Sequence, residues 1–346
     1  MNDIAPPPAT LRVNLDSDAL AANWHQLDRM SAPGRAGAAV KADCYGLGVD
    51  RCVPVLRGAG ARDFFVAHWS EVADVVRYVP ASDISVLHGL ISRTETDYAR
   101  AVGARPVINS LDQAKLWAEA GGGACDVMVD TGINRLGLAM RDLSDPLIAT
   151  LDVVTLLSHL ASADEASPSN RRQLKLFREA RAMVKAKRYS LANSAGIVLG
   201  PDYTFDLTRP GLALYGGIPR PELTDDIRQV AYPQAALLLR RDLEPGDRVG
   251  YNGTYIADRA LPSGIVSIGY ADGFLRSRGG EALTHEGRVL PLIGKVSMDM
   301  IVLDLTNAPD LREGDWLDIP FDMPGAAQRC GLSQYELLTV IGHRLR

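Results

Sequence analysis

GAAVKADCYGLG, residues 37–48, is a short apolar run that ends in a lysine and passes into a glycine-containing loop, and seven runs of similar build follow it. They are DFFVAHW (63–69), DISVLHG (83–89), RPVINS (105–110), CDVMVDTG (125–132), VVTLLSHL (153–160), RYSLANS (188–194) and DLTRPGLALYG (206–216). Helical stretches separate them, the alternation that builds a parallel sheet from βα units. Eight strands of this kind close a TIM barrel.

The intervening helices carry start signals. Ser70 precedes EVADVVRYV, Ser110 precedes LDQAKLWAEAG, and Ser169 or Asn170 precedes RRQLKLFREARAMVKAK, each an expected N-cap. Ahead of the barrel, DSDALAANWHQLDRM sets Leu20, Trp24 and Leu27 on one apolar helix face, expected to lie against the barrel.

After Gly216 the text changes to IPRPELTDD and then to apolar runs broken by EPGD, LPSG and REGD turn signals. AALLLRRDL, GIVSIGYA, RVLPLIGKVSMDMIVLDL and WLDIPF are too closely spaced for further βα units and predict a mostly β-strand domain. The expected division is a barrel over 1–222 and a β-rich domain over 223–346. LRVNLD (11–16) precedes the barrel and could pair with either.

The chain has 346 residues, 37 Lys and Arg against 42 Asp and Glu, and a formal net charge of −5, without a basic run that would bind a phosphate backbone. Nucleic acid is therefore not an expected partner. Cys44, Cys52, Cys125 and Cys330 are scattered without a metal-ligand spacing and read as reduced thiols, so no metal is expected. The opening MNDIAPPPATLRVNLD lacks a basic stretch followed by an apolar one, and no run is long and apolar enough to span a bilayer, so a soluble cytoplasmic protein without a membrane partner is expected.

Barrel enzymes draw their chemistry from the C-terminal ends of strands. Lys41 closes GAAV, Arg135 follows VMVDTGIN, His159 closes VVTLLS, Ser194 closes YSLAN and Arg209 follows FDLT. A lysine in an apolar wall loses part of its hydration, which lowers its pKa and suits it to Schiff-base chemistry. The alternative is a lysine that reaches past the strand end to solvent. Tyr45 and the glycines beyond it would bring a hydroxyl and bare backbone to a ligand.

GAAVKADCYGLG closely resembles the pyridoxal phosphate (PLP) lysine motif of the alanine racemases. The resemblance continues in order through DTGINRLG (130–137), SHLASADE (158–165), ANSAG (192–196), TRPGLALYG (208–216), VGYNGTY (249–255), IGYADGFLR (268–276) and GKVSMDM (294–300). It implies a PLP-dependent isomerase that interconverts L- and D-alanine, supplying D-alanine for peptidoglycan or serving its breakdown. It also implies a homodimer with shared active sites.

On this resemblance Lys41 holds PLP and acts as base on one face of the substrate, and Tyr251 from the other subunit acts on the opposite face. Two opposed acid/base groups are the minimum for racemisation. Arg209 faces the pyridine nitrogen, and because arginine only donates hydrogen bonds it leaves the ring neutral and restrains transamination and decarboxylation. Arg135 contacts the ring oxygen and the substrate carboxylate. His159 links Arg209 to Tyr251. Tyr45, Ser194, Gly211 and Leu212 bind the phosphate. Met298 offers backbone N–H to the substrate carboxylate with Asp299 supporting its loop, and Tyr270 lines the entry.

Blander readings stand beside these: a half-buried strand tyrosine for Tyr251 and Tyr270, a surface or ion-paired Arg209, an ion pair of Arg135 with Asp130, a core methionine for Met298. Three departures from the family pattern are visible. Met128 stands where many members have a lysine that positions the arginine matching Arg135, leaving Asn134 or an anion to hold it. His343 stands where many have a phosphate-binding tyrosine. Asp43, Cys44 and Leu47 differ from the common KANAYGHG form. Serine or a broader substrate range stays open, since one methylene discriminates by only about 1–3 kcal/mol. A decarboxylase of the same architecture would place a carboxylate at the ring nitrogen and a reactive cysteine in the β-domain. A non-catalytic PLP carrier would resemble the barrel alone.

Overall fold

The computed structural model describes residue 7, residues 9–341 and residues 343–345. Two compact units divide the chain: residues up to Asp16 together with Gln229–Arg346, and Ser17–Arg228. The division falls a little beyond the expected 222/223 because the intervening residues are tied to the barrel. Leu223 is fully buried, and Asn23 exchanges two hydrogen bonds with the Arg228 backbone, at 2.8 Å each.

In the unit Ser17–Arg228, seven parallel strands run in chain order: Ala38–Ala39, Phe64–Val66, Ile84–Val86, Arg105–Ile108, Ala124–Met128, Asp152–Leu157 and Arg188–Ser190. The eighth, Leu207–Thr208, pairs in parallel with Arg35–Ala36. Gly37 and Ala39 N–H donate to Thr208 and Pro210 carbonyls at 2.9 Å, while Arg209 N–H donates to Ala192 O at 2.9 Å on the other side. These bonds close the ring into an eight-stranded barrel. Its strands read as continuous apolar runs because parallel strands are covered on both faces.

Leu20, Trp24 and Leu27 are buried along the helix Ser17–Met30, as their spacing predicts. Ser110 caps Leu111–Glu119 by accepting from Gln113 N–H at 3.2 Å. Two other caps differ from expectation. The helix Pro168–Met183 starts earlier, capped by Ser167 with Pro168 in its first turn, where the missing proline N–H costs nothing. Ser70 lies inside the 3-10 turn Trp69–Glu71, whose start is closed by the Glu71 carboxylate accepting from His68 N–H at 2.9 Å.

In the other unit the strand Leu11–Leu15 pairs antiparallel with the start of Ala231–Leu243, Leu11 opposite Ala235 and Leu15 opposite Ala231. The N-terminal strand therefore belongs to the β-rich unit. Ala231–Leu243 carries a register shift between Leu237 and Leu239, which lets one long strand pair with Leu261–Val266 at one end and Trp316–Asp318 at the other. Ile301–Asp304, Arg288–Ile293 and Ala282–His285 complete an antiparallel sheet that returns to Trp316–Asp318. The expected continuous run 288–305 is two strands, and GKVSMDM is the loop between them. Helices Met323–Cys330 and Gln334–Thr339 follow, in a unit that is otherwise mostly strand, as expected. No helix among the described residues is long and apolar enough to cross a membrane.

Candidate active site

Lys41 follows the first barrel strand and stands half-buried at its C-terminal end. Burial disfavours its ammonium and lowers its pKa from the ordinary 10.5; Arg135 pushes the same way, Glu71 opposes, and Arg209 adds a smaller push. The amine is moved toward its neutral, nucleophilic form.

The next four residues adopt a conformation that their side chains do not announce. Ala42, Asp43, Cys44 and Tyr45 have φ of 51, 52, 54 and 56°, a left-handed turn without a glycine. Each such residue costs roughly 1–2 kcal/mol, so the surroundings must hold the turn. Gly46 N–H returns to Ala42 O at 2.9 Å, and Gly48 N–H to Asp43 O at 3.0 Å. The Asp43 carboxylate accepts from Val49 N–H at 2.6 Å, placing a negative charge at the start of the helix Val49–Ala59. That contact gives Asp43, one of the departures from the family pattern, a structural use.

The turn carries Tyr45 inward, where its ring lies 4.9 Å from that of Tyr215, and Tyr215 Oη donates to Ala39 O at 2.9 Å. Gly211 stands so close that a Cβ there would meet Tyr45 Oη at 2.1 Å. Ser194 Oγ accepts from Gly211 N–H at 2.9 Å and Ala213 N–H at 3.3 Å, so two backbone donors converge on one point, and Leu212 opens the turn Leu212–Tyr215 between them. A hydroxyl ringed by converging N–H groups and a glycine that leaves no room for a side chain fit a phosphate group.

Arg209 is buried, and burial pulls its pKa from 12.5 to about 10, still protonated at neutral pH. Its terminal nitrogens donate to Ser190 Oγ at 2.5 Å, to Ser158 O and to Leu191 O at 3.5 Å. Among the described residues it forms no ion pair with a carboxylate, and Nε keeps a free donor that fits a neutral ring nitrogen. This excludes the surface or ion-paired reading.

The link expected from Arg209 to His159 is not made. Arg209 directs its terminal nitrogens to Ser190 and backbone carbonyls, and the His159 ring makes no hydrogen bond among the described residues. Burial, then Arg209, Arg135 and Lys41, lower the His159 pKa to about 3, so the imidazole is neutral. The Arg135–Asp130 ion pair is likewise absent. Asp130 Oδ1 is taken by the N–H groups of Gly132, Ile133 and Asn134 at 2.8, 3.0 and 3.2 Å, which shape the loop and leave Arg135 exposed. Arg135 has no hydrogen-bonding partner among the described residues, Asn134 included. Lys41, Arg135 and Arg209, with neutral His159, form a cationic mouth suited to an anionic ligand.

The β-rich unit brings three predicted loops together. Gly250 lies 3.5 Å, by its would-be Cβ, from Lys295 N, and Tyr270 and Ala271 N–H donate to Ser297 O and Met298 O at 3.0 Å. Tyr251 and Met298 are 62% and 52% exposed, which excludes the half-buried strand reading of the one and the core-methionine reading of the other. Tyr251 sits in a turn with Gly250, Asn252 and Gly253 at φ of 71, 65 and 54°, while Tyr270 is half-buried in the turn Tyr270–Asp272. Asp299 accepts from Arg344 Nη1 at 2.8 Å, and Arg344 Nε donates to Asp272 at 2.8 Å, tying the Met298 and Tyr270 loops to one guanidinium.

The alanine racemase N-terminal domain model matches residues 15–219, and the alanine racemase C-terminal domain model matches residues 230–346. The chain belongs to the alanine racemase family. The biosynthetic alanine racemase of Agrobacterium fabrum is 40% identical, over 97% of this chain and 93% of that protein. The alanine racemase of Rhodospirillum rubrum is 39% identical, over 97% and 95%. Among solved structures, the alanine racemase from Bartonella henselae with covalently bound pyridoxal phosphate superposes with a TM-score of 0.89 at 32% identity, covering 98% of this chain and 99% of that one. The biosynthetic alanine racemase from Pseudomonas aeruginosa gives 0.86 at 32% identity, covering 97% and 98%.

Of the departures from the family pattern, Met128 is a core residue: it is buried with Val107 and Leu157, with Leu87 and Leu136 against them, and brings no polar group toward Arg135. The His343 side chain lies outside the described residues. Sequence reasoning missed Glu71, Ser158 and Ser190. The serines had a signal, being polar residues within apolar strands. It also passed over His68 and His88, whose rings lie 4.2 Å apart at the ends of neighbouring strands.

Proposed function

We propose that this family member racemises alanine with PLP held on Lys41, and that Lys41 and Tyr251 of the partner subunit are its two bases in a homodimer. The observation that carries the reading is the set at the barrel mouth: a Lys41 amine driven toward neutrality, Arg209 with a free Nε, and the Ser194–Gly211–Tyr45 cradle. PLP, when bound, draws electron density from the substrate α-carbon and so acidifies its proton. Arg209 would donate to the ring nitrogen, Tyr45, Ser194, Gly211 and Leu212 would hold the phosphate, and Arg135 would hold the ring oxygen and, with the N–H of Met298 of the partner subunit, the substrate carboxylate. Lys41 Nζ, freed as the substrate amine takes its place, would take the α-proton from one face, and Tyr251 Oη would give its proton to the carbon from the other. Return of the ammonium proton to the phenolate through solvent resets both groups. The reverse reaction exchanges their roles.

A decarboxylase of the same architecture is disfavoured. Arg209 occupies the place where that chemistry needs a carboxylate, and Cys330, the one cysteine of the β-rich unit, is buried in a helix. The names of the Agrobacterium and Pseudomonas relatives support a biosynthetic role, and on that reading the chain supplies D-alanine for peptidoglycan from the cytoplasm.

The test mixes chains. Lys41→Ala and Tyr251→Phe proteins are each expected to be nearly inactive. After exchange, confirmed by tagged-chain pull-down, about half the dimers are mixed and each holds one intact and one doubly mutated site, returning about a quarter of wild-type activity. Confirmed exchange without recovery would place both residues in one chain's site.

A further inference from the structure

Glu71 is absent from every motif that suggested the function, yet it touches the backbone next to Lys41. Its Oε1 accepts from Ala42 N–H at 2.5 Å, the first peptide after the lysine and the entry to the left-handed turn. Its Oε2 accepts from Ala67 N–H at 2.6 Å and His68 N–H at 2.9 Å, at the end of the neighbouring strand Phe64–Val66. One half-buried carboxylate thus ties the loop that carries Lys41 to the adjacent strand end. Four non-glycine residues in the left-handed region do not hold that shape unaided. Gly46 and Gly48 N–H secure the far end of the turn, Cys44 N–H donates to Val40 O at 3.0 Å across its start, and Glu71 ties its first peptide to the neighbouring strand.

We propose that Glu71 is a positioning residue for Lys41, pinning the Lys41–Ala42 peptide and setting a negative charge beside the amine. The inference rests on the reading that Lys41 carries the cofactor. The charged and titratable groups around Lys41 are Arg135, Arg209, His88 and His159, and Glu71 is the carboxylate that opposes the two arginines. Loss of its charge leaves Lys41 facing cations alone, so the amine should titrate at lower pH.

The test compares Glu71→Gln, which removes the charge at nearly constant shape, with Glu71→Ala and with Glu71→Asp, which keeps the charge on a shorter arm. In the PLP-free protein, the Lys41 amine is titrated by NMR after reductive 13C-methylation, with Lys41→Ala identifying its signal. Its midpoint should fall in the Gln and Ala proteins and recover toward wild type in the Asp protein. PLP affinity should weaken roughly tenfold in the Gln and Ala proteins, the loss expected for one charge-assisted hydrogen bond. Unchanged titration and PLP affinity in the folded variants would overturn the proposal. So would failure of both Gln and Ala proteins to fold, which would make Glu71 a residue of the barrel and not of Lys41. A Lys41→Ala protein that still forms a reducible PLP adduct would instead overturn the cofactor reading, and the amine titration stands apart from that result.

Discussion

Replacing Gly211 with alanine puts a methyl carbon 2.1 Å from Tyr45 Oη, 2.8 Å from Tyr45 Cζ and 3.4 Å from Ala39 Cβ. Gly211 has φ −132° and ψ −86°, and the added carbon meets a direct crowding cost there. Tyr45 cannot turn aside cheaply, because its ring is buried against Tyr215, Tyr215 is anchored on Ala39 O, and its own backbone is locked in the left-handed turn. Relief therefore displaces either the Tyr45 hydroxyl or the Gly211 N–H that reaches Ser194. On the proposed function, either movement takes a phosphate-binding group out of place. Overpacking of a tight site costs about 1–3 kcal/mol, which becomes about 5- to 150-fold in PLP affinity if it falls on the bound state. Titrating PLP-free protein by the absorbance of the Lys41 adduct measures the affinity, and urea unfolding of the same protein measures strain already present without cofactor. Gly58→Ala is the control. Nothing lies within 4 Å of its added carbon, and an exposed helix position should gain about 0.5–1 kcal/mol of stability with unchanged PLP affinity. Wild-type PLP affinity and stability in Gly211→Ala would refute the steric cradle.

Two further outcomes follow from groups on and away from the mouth. His159 titrates at about 3 in the folded protein against 6.5 unfolded, so its contribution to stability is complete above pH 6.5 and is lost as the pH falls toward 3. In urea unfolding of PLP-free protein, the loss between pH 7 and 4.5 should be smaller in His159→Gln than in wild type, by at most about 3 kcal/mol; equal losses would disprove a neutral His159. At the opposite end of the barrel, fully buried Asp126 accepts from Ser85 Oγ at 2.6 Å, Thr155 N–H at 2.9 Å and Arg105 Nε at 3.4 Å. Asp126→Ala should cost about 3–5 kcal/mol by stranding the Arg105 charge. A loss below about 1 kcal/mol in denaturant unfolding would show that Asp63, 3.5 Å from Arg105, carries the pairing alone.

The eight barrel strands were legible because apolar period, length and turn residues are local properties, and the polar residues that close them, Lys41, His159, Ser194 and Arg209, stand where the topology puts a barrel's chemistry. Local sequence also held the apolar face of Ser17–Met30 and the Ser110 cap. What it did not hold were features sustained by contacts distant in the chain. The left-handed turn at Ala42–Tyr45 contains no glycine to announce it and is held in part by Glu71, from the next strand's loop. The partners of Arg209 come from Ser158, just past the strand Asp152–Leu157, and Ser190, in Arg188–Ser190. The strand Leu11–Leu15 has an edge that either unit could have paired, and only its register against Ala231–Leu243 decided which. Propensity and period act over a few residues, whereas a strained backbone, a buried guanidinium and an edge strand take their partners from wherever the fold brings the chain back.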